Sequence, residues 1–356
     1  MQVEKENDFM GRQSAATTLE KAKVRSKPVY AFLVLGIGLV VLTAALILSV
    51  SFGAAQIEIG TIWSAITEFD PTITEHQIIH DIRIPRALGA AIVGSFLAVA
   101  GAIMQGMTRN PLGEPSIMGV MDGAALAIAI TFAFSASVSG TGLMTAAFIG
   151  AGVGASFVFL IGSFARGGLT PAKLALAGVT VGAFLSAISS GIAIHFNVAQ
   201  DISFWFAGGL AGMSWTNIQM ILPVAVGGLL LAFILSRSVT VLSLGEDVAK
   251  GLGQRILLIK ILGIIVVLLL TGAGVAVAGA IGFVGLVIPH ITRGLVGVDY
   301  RYIIPCSAVL GALLLVLADL AARLVNAPFE TPVGAMTALI GVPFFLYLAR
   351  RDGRKL

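Results

Sequence analysis

The sequence predicts an all-α polytopic membrane protein of ten transmembrane helices, with both termini cytoplasmic. Three observations carry that prediction. Of its 356 residues, 57% are hydrophobic and only 11% charged, whereas a soluble domain carries about a quarter charged residues. The charges are also segregated, leaving apolar runs of about 17 to 24 residues, the length that crosses a bilayer core. Lysine and arginine, finally, gather in alternate connections, the bias that orients a chain in a membrane.

Taken in order, residues 1–28 are polar and read as a cytoplasmic tail. The run at 29–52 is too long for a signal-peptide core of about 7 to 15 residues, so it is the first span. Glycine, proline and charge then punctuate nine more apolar stretches. These are 87–105, 116–134, 144–164, 174–194, 218–235, 256–276, 278–291, 302–320 and 333–349. The eighth is short and poorly separated from the seventh, so nine is the competing count. The ten spans form one membrane domain over 29–350, with a long inner connection at about 237–256 and a short cytoplasmic tail at 351–356.

Orientation follows from the basic residues. With the N-terminus inside, all 22 lysines and arginines fall on inner segments except Arg83, Arg86 and Arg323. The first outer loop, 53–82, holds Glu58, Glu68, Asp70, Glu75 and Asp81 and no lysine or arginine. Both ends are then inside, and ten spans satisfy that parity where nine do not. The chain's 43 glycines lie largely within the spans, where small residues let helices approach in lipid.

Several chemistries are missing. There is no Gly-Lys dipeptide and so no phosphate-binding G-x-x-x-x-G-K-[ST] loop. The chain is therefore not a P-loop ATPase. No H-E-x-x-H occurs, and His76, His80, His195 and His290 are scattered. Cys306 is the single cysteine, which leaves no intrachain disulfide. Nothing resembles a catalytic pairing or a metal site.

Five stretches carry a resemblance: RIPRALGAAIVGSFLAVAGAIMQGMTRNPLGEPSIMGV (83–120), FWFAGGLAGMSW (204–215), LGEDVAKGLG (244–253), GFVGLVIPHITRGLVGVDYRY (282–302) and TPVGAMTALIGVPFFLYLARR (331–351). In this order they resemble the permease subunits of type II ABC importers for iron–siderophore complexes and vitamin B12. The resemblance implies a bacterial plasma-membrane subunit that performs no reaction itself. It implies a second permease subunit, the same or related, with the pathway between the two. Two cytoplasmic ATPases, which carry ATP and Mg, would sit below, and an extracytoplasmic substrate-binding protein would deliver cargo from above. It implies no cofactor on this chain and no nucleic-acid partner. Iron(III)–siderophore complexes are the expected cargo, with cobalamin or haem as alternatives. A secondary transporter is the runner-up class.

Site residues follow from both readings. The segment at 105–119 breaks the chain with Pro111 and Pro115, each lacking a backbone donor. Asn110, Glu114 and Ser116 can supply replacement partners, and Ser116 can cap the following helix. Irregular backbone at membrane depth persists only when buried in protein or lining a watery cavity. The segment is accordingly read as a pathway-lining gate, against the plainer reading of a solvated inner turn. Asp122, just beyond it, is either stabilised by a helix N-terminus or faces the pathway, and the sequence leaves both open. In the second site, Leu244, Gly245, Glu246, Asp247, Gly251 and Gly253 have ordinary helix punctuation. The resemblance makes them the coupling helix that seats on the ATPase. For Arg83, Arg86 and Arg323, local readings are snorkelling and an Arg323–Asp319 pair at i, i+4. The resemblance instead makes them docking sites for glutamates of the binding protein, a task that suits the planar guanidinium.

Overall fold

A computed structural model describes residues 26–53, 57–115, 118–135, 137–163, 171–327 and 329–352. Most of the polar N-terminal tail, Ser116, Arg166 and the last four residues lie outside that set. The described residues form an all-helical bundle in which an isolated bridge, Ser26 to Gly297, is the one extended pairing.

Seven helices are long and apolar enough to cross a membrane. They are α1 (Pro28–Ser51), α4 (Ile84–Thr108), α6 (Gly140–Ser163), α7 (Pro171–His195), α9 (Trp215–Ser243), α11 (Ile256–Ala278) and α13 (Tyr300–Leu324). Three shorter apolar helices complete the bundle: α5 (Val120–Phe134), α12 (Val284–Val296) and α14 (Val333–Asp352). Four small helices connect them: α2 (Ile59–Thr67), α3 (Thr74–Gln77), α8 (Ala199–Gly208) and α10 (Glu246–Gly251).

Each apolar run expected from the sequence lies largely on one of these helices, with three corrections to the boundaries. The second run begins not at 87 but at Thr74, because α3 passes through a π-helical turn, Ile78–Arg83, straight into α4. Arg83 and Arg86 are buried inside the protein, so they do not mark a membrane boundary. The eighth run moves from 278–291 to Val284–Val296, since residues 279–283 are non-helical and carry positive φ at Gly279 and Phe283. The inner connection begins at Leu244, since α9 continues through Arg237 to Ser243.

Packing explains which helices sit where. Most of α4 is buried, with α13, α11, α9 and α12 around it. Glycine permits the closest approaches: a Cβ on Gly94 would overlap the carbonyl of Gly311 on α13, and one on Gly101 would overlap Gly285 on α12. In lipid such van der Waals contact, rather than expulsion of water, holds helices together. By contrast α1 is apolar on all sides and exposes Val29, Phe32 and Val40, as a peripheral helix facing hydrocarbon does. A second group, α5 with α6 and α7, closes through Gly123 against Gly150 and Gly154.

The helices share two faces. One carries the C-terminus of α1, the start of α4 and the end of α13. The opposite face carries Lys27, whose backbone N–H bonds the Val296 carbonyl at 3.0 Å, together with Arg109 and α10.

Candidate functional site

Three constellations stand out, one on each face and one that runs inward from the second. On the first face Arg83, Arg86 and Arg323 come together, although 240 positions separate the first from the last. Arg86 donates from Nε to both oxygens of Asp319, at 3.0 and 3.1 Å, and from Nη1 to Glu330 at 2.7 Å. Arg323 reaches the same Asp319 carboxylate at 3.2 Å. It also donates to the carbonyls of Ser49 and Phe52, at 3.0 and 3.2 Å, and to the Ser49 hydroxyl at 2.6 Å. Arg83 donates to the carbonyls of Val50 and Ser51, at 2.7 and 2.8 Å.

Those carbonyls belong to the end of α1, where helical acceptors lack partners and the helix dipole favours positive charge. The cluster therefore gives a local account of three basic residues on an otherwise acidic face. They are not isolated posts, and they do not snorkel to lipid. Their exposures are only 5%, 5% and 8%, and Asp319 is fully buried. The anticipated i, i+4 contact of Arg323 with Asp319 is present. Glu330 is the exposed member, its side chain 47% accessible.

On the opposite face α10 lies where helix punctuation placed it. Gly245, at φ 130, turns the chain between α9 and α10, and Gly253, at φ 76, turns it away again; side chains rarely tolerate either geometry. Glu246 and Asp247 occupy the first turn, and Gly251 ends the helix rather than following it. Buried Ala249 packs with Leu242 and Ile259. Lys260 of α11 bonds Glu246 at 2.7 Å. That hydrogen bond holds the Glu246 carboxyl below its usual range against a smaller opposing effect of burial. Leu244, Val248 and Leu252 are exposed at four-residue spacing, an apolar stripe of which only Leu244 was singled out from the sequence.

The third constellation starts on this same face, where α4 ends at Arg109 in a left-handed conformation at φ 51, and runs inward from there. Asn110 does supply a partner, its side-chain oxygen accepting from the Leu112 N–H at 3.0 Å. Glu114 reaches across the bundle and accepts from the Phe283 N–H at 2.5 Å. Pro115 is buried and lies against Gly285 of α12. Gly285 meets α4 at Gly101, seven residues before the end of that helix and roughly 10 Å inside its face at 1.5 Å per residue. The end of the segment, Gly113 and Pro115, therefore folds back into the bundle, while Arg109 is exposed and Asn110, Pro111 and Leu112 are half-buried.

Asp122 lies in the first turn of α5, beside a groove formed with Gly178, Gly182, Ala183 and Ser186 of α7. Its Oδ2 sits 2.6 Å from where a Cβ on Gly182 would be, so both open readings of this acid keep a physical basis. Among the described residues no group of three or more His, Cys, Asp and Glu is arranged to hold a metal ion.

Sequence reasoning missed several participants. Glu330 pairs with Arg86, 244 positions away, and Asp319, foreseen only as a partner of Arg323, also binds Arg86, 233 positions away. Gln105 is buried and donates to the Gly285 carbonyl at 3.0 Å while accepting from Arg293. Phe283 is a bulky residue at φ 68, a conformation that costs about 1–3 kcal/mol. The one available signal was the presence of Gln, Asp and Glu in or beside apolar runs, which demand partners.

The profile of the FecCD transport family matches residues 41–351. The chain belongs to that family. Among curated relatives, it is 61% identical over 340 residues to the iron(3+)-hydroxamate import system permease protein FhuB of Bacillus subtilis (strain 168). That alignment spans 96% of this chain and 88% of the relative. It is 46% identical over 309 residues to the iron-uptake system permease protein FeuB of the same organism, covering 87% and 92% of the two chains. A solved structure described as an inward-facing conformation of a metal-chelate type ABC transporter superposes with a TM-score of 0.77. It is 31% identical and covers 89% of this chain and 98% of that one. As a FecCD family member with seven long apolar helices, the chain is a multi-pass membrane transport protein.

Proposed function

We propose that this FecCD protein is the permease of an ATP-driven importer of ferric hydroxamate or related iron–siderophore chelates. The observation that carries the cargo is the 61% identity, over nearly the whole chain, to an iron(3+)-hydroxamate import permease. In this reading the seven long and three short apolar helices are ten spans with both termini inside, an orientation that the distribution of Lys and Arg supports. The face carrying the arginine cluster is external and receives a substrate-binding protein. The face carrying α10 is cytoplasmic and seats on one of two ATPases, with Leu244, Val248 and Leu252 in the ATPase groove. A second permease subunit completes the pathway, which the 109–115 segment and Asp122 flank. ATP and Mg act on the partner ATPase.

Docking at the arginines takes a particular form. Arg86 pairs with two carboxylates, Asp319 and Glu330. Glu330 is the accessible one, and a carboxylate of the binding protein exchanges with it on Arg86, while Asp319 stays buried.

The test is uptake by proteoliposomes holding the permease and ATPase, with the binding protein outside and an iron-55 trihydroxamate chelate as probe. Uptake should need ATP and binding protein, survive dissipation of ion gradients, and resist competition by cobalamin or haem. Uptake that instead collapses with the gradient at constant ATP would establish a secondary transporter. Competition by cobalamin or haem would reassign the cargo.

A further inference from the structure

We propose that Glu114 and Phe283 form a latch that carries displacement of α10 through the 109–115 segment to α14. Glu114 is then a positioning residue for transport, a role that rests on the importer reading above. The chain of contacts starts at Gly245, the turn before α10, where Arg109 Nη1 lies 3.7 Å from the position of an added Cβ. The Arg109 charge also acts on Glu246 in the first turn of α10. Arg109 is the left-handed residue that ends α4 and opens the 109–115 segment. That segment is short and internally braced, with the Gly113 N–H bonded to the Asn110 carbonyl at 3.0 Å. A pull on Arg109 is therefore delivered to Glu114 rather than absorbed.

At the far end, Glu114 Oε1 holds the Phe283 N–H at 2.5 Å. Phe283 precedes α12, and its carbonyl accepts the first helical bonds, from Leu286 at 3.1 Å and Val287 at 2.9 Å. Its ring lies against Gly341 of α14, where a Cβ would overlap it. One residue thus joins the segment, α12 and α14. Glycine would occupy φ 68 without strain, so a phenylalanine there indicates that the ring itself is used. On α14, Leu339, Ile340, Val342, Leu346 and Tyr347 are exposed, and its packing partners in the bundle are α13 and α12. It is the helix that a shift of Phe283 can move.

The test compares Glu114→Gln and Phe283→Gly with the unaltered protein in the complete permease–ATPase complex. The readouts are assembly, ATP hydrolysis with and without loaded binding protein, and iron-55 trihydroxamate moved per ATP. Phe283→Gly keeps the backbone angle without strain, so it tests the latch even where Glu114→Gln assembles poorly. Both variants are expected to keep basal hydrolysis while chelate moved per ATP falls about fivefold or more, the lower range of measured couplings. A residue that merely braces the fold would lower the yield of complex and leave chelate per ATP unchanged. An unchanged ratio in Phe283→Gly overturns the latch. An unaltered complex that moves no chelate counts instead against the importer reading.

Discussion

Asp319 is fully buried and shared by two arginines, which makes it the residue on which the outer cluster depends. Removing one partner of a buried ion pair costs about 3–5 kcal/mol, because the remaining charge is left without compensation. Asp319→Asn should therefore sharply lower the thermal midpoint and the yield of folded protein in size-exclusion profiles. Glu330 bonds the same Arg86 but is half exposed, and an exposed pair contributes at most about 1 kcal/mol. Glu330→Gln should leave the midpoint nearly unchanged and tighten the binding protein several-fold, measured by titration against the reconstituted permease, because a competing carboxylate is gone. Weaker binding in that variant would show that Glu330 itself contacts the partner. The distinction matters for any charge reversal at Arg86. Arg86→Glu would face Asp319 and misfold, so a compensating Glu→Arg change in the binding protein would rescue nothing. The docking test belongs on Glu330.

At the scale of elements, α10 is held to its own subunit by contacts that include Ala249 in a small apolar cluster and Glu246 on Lys260. The depressed Glu246 pKa fixes the sign of its pH dependence. The link is fully present above the usual carboxylate value of 4.5 and is lost as pH falls through the lower folded value. Coupling at neutral pH is thus insensitive to this group. Gly251 has open space where a side chain would go, and in the proposed assembly it belongs to the surface that meets the ATPase. Gly251→Trp should leave the permease folded while abolishing stimulation of purified ATPase by loaded binding protein; normal stimulation with normal uptake would place the ATPase elsewhere. Much of this element was legible in the sequence, because first-turn acids and flanking glycines are local signals. The long apolar helices were legible for the same reason. The π-turn before α4, the helices α2 and α8, and the start of α12 at Val284 were not. Each depends on burial by distant residues, such as Trp215 donating to the His80 carbonyl at 2.8 Å, and local composition is silent on that. The 105–119 break was visible from its prolines, yet its partner Phe283, 169 positions from Glu114, was not.

For the whole molecule, the positions of the arginine cluster and α10 on opposite faces turn a reading of charge into a claim about the two sides of a bilayer. Composition showed that lysine and arginine alternate between connections, and the bundle shows that the connections do segregate to two faces. Which face meets the cytoplasm is read out by a labelling experiment for which this chain is well suited. Its single cysteine, Cys306, is buried within α13, so a Cys306→Ser background contributes no signal and loses little packing. Trp63 on α2 is 70% exposed and Val248 on α10 is 47% exposed, which gives two reporter positions that need no unfolding to react. In intact bacterial cells stripped of any outer envelope, a membrane-impermeant maleimide should label Trp63→Cys at once. It should label Val248→Cys only after the membrane is opened. Labelling of both from outside would place the arginine cluster and α10 on one side. The ten-span parity would then fail, and with it any mechanism in which one partner delivers cargo from above while another drives the helices from below.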